Sequence, residues 1–203
     1  MGRLVKSKIA PKAGAACLLA LAAGSADAHS ITGAVGGFAA GFQHPIFGPD
    51  HVLAMVSVGI WGAQLGAPAI WLLPIAFPLI MAFGGALGII GVPLPATELL
   101  IAVSVLVLGL MVAQARHLPL WGALAIVGVF AIAHGHAHGI ELPASADAIA
   151  FSTGFVIATG MLHAIGIAIG LAVRWPTGAL AIRCAGTMIA AVGVYFICEY
   201  AVA

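Results

Sequence analysis

The chain has 203 residues, of which 63% are hydrophobic and 6% charged, with a mean hydropathy of +1.20 and a formal net charge of +1. Soluble domains carry about a quarter charged residues, so a wettable monomer is excluded and lipid is the solvent that suits this chain. A charge this close to zero also excludes a basic surface for nucleic acid.

Residues 1–28 read as a signal peptide. Arg3, Lys6, Lys8 and Lys12 form a basic start, the apolar run 13–23 follows, and Ala26-Asp27-Ala28 fits a small-x-small cleavage site. Cleavage after Ala28 makes His29 the first residue of the mature chain, with a free α-amine beside its imidazole. Those two nitrogens can chelate a divalent ion, which makes His29 a candidate for capturing metal at the entrance.

Residues 29–203 read as one all-α membrane domain, a six-helix transmembrane bundle with a broken first helix. Residues 31–43 are apolar but too short to span, and are expected to be an entrant half of the first helix or a helix near the surface. Gly33, Gly37 and Gly41 recur every four residues, a spacing that permits close packing. The segment His44-Pro45-Ile46-Phe47-Gly48-Pro49 is expected not to be regular helix, because two prolines remove amide donors and push the residues before them toward extended backbone. Such breaks survive in membranes where they are buried in protein or line a cavity, and they often build ion sites. Spans are predicted at about 50–66, 68–91, 96–115, 118–138, 146–173 and 178–201, each near the roughly 20 residues a crossing needs. Cys184 and Cys198 lie fourteen residues apart on the last span, roughly 21 Å at helical rise, too far for a disulfide.

Basic side chains fix the expected orientation. Signal cleavage puts the mature N-terminus outside, and six spans then put Arg116, Arg174 and Arg183 on the cytoplasmic side, as the positive-inside rule requires. Glu98, Glu141, Asp147 and Glu199 fall outside, as do both termini of the mature chain. A seventh full span at 31–43 would reverse the arginines.

All eight histidines and every acid except Asp27 lie after residue 28, and they are not scattered. His44, Asp50 and His51 stand at the start of the first span. His134, His136, His138 and Glu141 stand at the end of the fourth, at the same expected depth. His134, His138 and Glu141, at spacings of four and three, share one helix face, whereas His136 points elsewhere. Ionisable groups inside spans are costly and mark function. Imidazole with carboxylate suits Ni, Zn, Co or Cu(II), while Cu(I) favours Cys or Met and Mg or Ca favours oxygen cages. Each group also has a plainer reading. Asp50 favours a helix N-terminus, His134 and His138 can bond between helices, His163 and Met55 can be packing residues, and Glu98 can serve as a cap or as part of the metal's way in. His117, beside Arg116, reads as a loop residue.

The run His44-Pro45-Ile46-Phe47-Gly48-Pro49-Asp50-His51-Val52-Leu53-Ala54-Met55 resembles the first-helix signature of the HupE/UreJ family. His134-Gly135-His136-Ala137-His138-Gly139-Ile140-Glu141 resembles its second, H-G-x-A-H-G-x-E. The resemblance covers essentially the whole mature chain. One departure is Ala133, where members often carry Phe; an alanine cannot ligate metal in any case. The resemblance implies inner-membrane transport of nickel, as cargo rather than resident cofactor, for hydrogenase or urease, with their maturation proteins as partners. It carries the important positions to His44, Asp50, His51, His134, His138 and Glu141. Co2+ and Zn2+ stay open as cargo on ligand chemistry alone. The chain has no phosphate-binding loop to hydrolyse ATP, and no H-E-x-x-H motif, since Gly135 follows His134. An intramembrane metalloenzyme and a non-transporting metal sensor or maturation partner are the alternatives.

Overall fold

The structure is a computed structural model that describes residues 34–142 and 147–202. The expected signal peptide, its cleavage site and His29 lie outside the described residues. The elements, in chain order, are α1 (Ala34–Phe47), α2 (Pro49–Leu65), α3 (Ala69–Ile89), α4 (Thr97–Gln114), α5 (Leu120–Glu141), α6 (Ala148–Gly170), a 3-10 turn (Leu171–Arg174) and α7 (Pro176–Val202). Among the described residues, five helices are long and apolar enough to cross a membrane, and the bent pair Gly36–Phe47 and Pro49–Leu65 makes a sixth span if counted as one.

Helix ends follow the punctuation in the sequence. Pro49, Pro119 and Pro176 stand at or beside helix starts, where a missing amide costs nothing. Gly66 and Gly91 take positive φ (77° and 76°) to end α2 and the turn after α3. Asp147 caps α6 by accepting from the Ile149 and Ala150 amides at 3.1 and 3.0 Å.

The break in the first span differs from the sequence expectation. Helix α1 runs through His44 and Pro45 to Phe47, so the proline costs one amide, the one that would reach the Gly41 carbonyl, without ending the helix. The chain turns at Gly48, whose extended backbone (φ −82°, ψ 108°) is what the residue before Pro49 prefers. The two helices meet at 76°. Gly48 still donates to the His44 carbonyl (3.1 Å) and accepts from the Val52 amide (2.9 Å), so hydrogen bonding continues round the corner. The fourth span also runs further than expected, with His134 through Glu141 wholly inside α5.

Helix α3 packs against α5, α4 against α7, and α6 against both α1 and α2. The α3–α5 contact explains two residues of the second signature. A Cβ on Gly135 would overlap the Met81 carbonyl, and one on Gly139 the Gly85 carbonyl. These glycines let the two backbones touch, and His134 and His138, each one residue earlier and about 100° round the helix, project away from that seam. The centre holds Trp61, Phe77, Met55 and Leu73, all fully buried. The opposite face of α3 exposes Trp71, Ile75, Leu79 and Phe83 every fourth residue, an apolar stripe suited to lipid. Cys184 and Cys198 are free and exposed on α7.

Candidate metal site

The corner at Gly48 brings His44 from α1 and His51 from α2 to the same place, and α5 supplies His138. The three rings sit with centroids 4.6 Å (His44–His138), 4.6 Å (His51–His138) and 5.7 Å (His44–His51) apart. One ligand atom from each lies within 4.8 Å of the others. A first-row metal with bonds to nitrogen of about 2.0–2.1 Å holds its ligand atoms at most about 4.2 Å apart. The trio is therefore a small side-chain adjustment from ligation.

Hydrogen bonds select the tautomers. His51 Nδ1 donates to Asp50 Oδ1 at 2.9 Å, which leaves its Nε2 as the lone-pair atom. That Nε2 faces His138 Nε2 at 2.5 Å. One of these nitrogens can hold a proton for the other, and an ion bound by both at about 2.0–2.1 Å would spread them to about 3 Å. His134 Nδ1 donates to the Phe130 carbonyl at 2.9 Å, leaving Nε2 buried without a partner; its ring lies 5.0 Å from that of His51. A ring with one nitrogen fixed by carboxylate or carbonyl and the other free is the usual preparation of a metal-binding histidine. The His51 and His138 side chains are 6% and 10% exposed, and His44 is the exposed member of the trio.

The other sequence candidates have different surroundings. Glu141 is mostly exposed, with Oε2 3.8 Å from His138 Nδ1, a charge beside the site. Glu98 and Asp50 line one cavity of about 250 Å³ with Pro49, Phe196 and Tyr200. His136 is turned away, bonded to the Val92 carbonyl at 2.6 Å and 3.5 Å from Thr97 Oγ1. Met55 is buried in the core one turn beyond His51, and His163 is buried against Phe77.

Sequence reasoning missed the aromatic wall. Phe155 of α6 has its ring 4.7 Å from His138, 5.9 Å from His44 and 6.3 Å from His51. Phe77 of α3 touches both His134 (5.7 Å) and His163 (5.4 Å). An aromatic residue in an apolar span carries no periodic signal that separates lining from packing, so neither position stands out in the chain.

Residues 17–196 match the family of the HupE / UreJ protein. The chain belongs to the HupE/UreJ family. A relative, Protein HupE of Rhizobium leguminosarum bv. viciae, is 45% identical over 157 residues, covering 77% of this chain and 82% of the relative. No solved structure gives a significant match. In this HupE/UreJ member, a multi-pass membrane protein, both signature motifs contribute to the same cluster of imidazoles, and the Gly48 corner brings the two histidines of the first motif together.

Proposed function

We propose that this protein carries a divalent transition metal, nickel before cobalt or zinc, across the bacterial inner membrane into the cytoplasm. The observation that carries the reading is the approach of His44, His51 and His138 to within 4.8 Å, with Asp50 on the far nitrogen of His51. In this reading residues 29–203 form the transport domain, and the site lies toward the periplasmic side. Asp50 and Glu98 draw the cation into their shared cavity. His44, His51 and His138 bind it, His134 takes it up next, and Glu141 adds negative charge beside His138. Imidazole and carboxylate match nickel's ligand preference, and the family's association with hydrogenase and urease favours nickel as cargo and their maturation proteins as recipients. A carrier must also let go, and a mixed imidazole and carboxylate site releases more readily than a cysteine cage. Protons compete for the same lone pairs, so acidifying the outside lowers uptake. The mature chain begins at His29, with residues 1–28 removed and both ends periplasmic, and mass spectrometry of the purified protein checks that start.

Uptake of radioactive nickel into proteoliposomes tests the function directly. Saturable, inward uptake that exceeds that of empty vesicles is expected. Tight binding without uptake would instead mark a sensor or maturation partner, and turnover of a peptide or ester substrate an enzyme.

A further inference from the structure

His163 stands in the middle of α6, 1% exposed, and neither ring nitrogen has a hydrogen-bond partner. Thr159, one turn earlier on the same helix face, is fully buried and its Oγ1 is also unpartnered. A buried donor or acceptor left unmatched is unfavourable. A phenylalanine or leucine would fill the space without that cost, and ionisable residues inside spans usually mark a pathway.

The position of His163 relates it to the outer cluster. Its backbone carbonyl abuts Gly59 of α2, eight residues beyond His51, or roughly 12 Å along the helix at 1.5 Å per residue. Its ring meets Phe77 edge-on at 5.4 Å, and Phe77 meets His134 at 5.7 Å. His134 in turn lies 5.0 Å from His51. The rings therefore form a continuous series from the outer histidines to the membrane interior, with Phe77 as the one member that cannot bind metal through a lone pair.

We propose that His163, with Thr159 Oγ1 beside it, is a second and transient ligand for the transported divalent ion, reached when the Phe77 ring moves aside. The step is a ligand exchange. The bond from His134 Nε2 to the metal breaks and one from a ring nitrogen of His163 forms; each neutral imidazole supplies its own electron pair, and no redox change occurs. Phe77 keeps the two binding positions separate, so the ion is held outside or inside but not along an open pore.

This inference rests on the outer histidines being a metal site, and the test separates the two. Wild type, His163→Phe and His163→Cys are purified full length, titrated with Ni2+ in detergent and assayed for uptake in proteoliposomes. His163→Phe is expected to keep outer-site affinity within about twofold while its maximal uptake rate falls at least tenfold. His163→Cys, made in a Cys184→Ser, Cys198→Ser background so that no native thiol of α7 remains and loaded with Co2+, is expected to gain a near-ultraviolet thiolate-to-metal charge-transfer band that the parent double variant lacks, a signature that a packing role cannot produce. Unchanged maximal uptake in His163→Phe, or no charge-transfer band in a folded His163→Cys, would overturn the inner ligand. If His163→Phe does not fold, the cysteine spectrum decides alone. Failure of wild type to bind Ni2+ at all would instead overturn the outer site.

Discussion

At the Arg116 end of the bundle, polar side chains close on backbone carbonyls. Trp61 Nε1 donates to the Arg116 carbonyl, Gln64 Nε2 to that of Val112 and Arg183 Nε to that of Ala113, each at 3.0 Å. These bonds satisfy acceptors at and just beyond the C-terminus of α4, where a helix leaves its last carbonyls free. At the His51 end, imidazoles face one another, and His134 Nε2 and His138 Nδ1 have no partner. Both ends use side chains to bind backbone carbonyls, His134 bonding that of Phe130 and His136 that of Val92, yet only the His51 end also turns imidazole nitrogens toward one another. Buried lone pairs left facing each other are unfavourable by themselves and useful to a cation, which separates a site from a cap.

That contrast is broken most severely by removing a proposed ligand. His138→Ala is expected to abolish nickel uptake at limiting nickel while leaving the protein in the membrane at normal abundance, because the fold rests on helix packing. Equal uptake by wild type and this variant would defeat the site. Asp50→Asn keeps the shape but weakens the hold on His51 Nδ1. Loss of such an orienting partner typically costs 10–100-fold in metal affinity, so isothermal titration should show a fall of about that size. Glu98→Gln is expected to act more weakly, lowering uptake at low nickel and recovering at high nickel, as loss of charge in an approach cavity should. At the other end, Arg183→Ala removes one hydrogen bond, worth about 1 kcal/mol. It should lower thermal stability slightly and leave uptake per folded molecule unchanged; a large loss of uptake would show that the Arg116 end also handles the ion. His117→Ala, in the exposed loop before α5, should be nearly silent in both measurements.

Much of this was legible in the chain. Apolar segments bounded by Pro, Gly and rare charges locate the helices, because a bilayer demands uninterrupted backbone hydrogen bonding. The i, i+4 spacing of His134 and His138 put them on one face and separated His136, which indeed bonds elsewhere, to the Val92 carbonyl. Pro45 misled: a proline disfavours a helix locally, but α1 is held against α6, and that packing carries the helix three residues beyond His44. The glycines of the second signature carry no packing signal in the sequence, and they are the contact surface with α3. Phe77 and Phe155 stayed hidden because their importance is set by which helices meet, a long-range fact that no local pattern encodes.

In the proposed transport site, His44, His51 and His138 hold one metal ion together. X-ray absorption of the purified protein loaded with one equivalent of nickel tests it most directly, with His138→Ala as the comparison. Imidazole scattering from three or more nitrogen ligands is expected in wild type, and from at least one fewer in the variant. A spectrum dominated by oxygen ligands, or one unchanged by loss of His138, would contradict it.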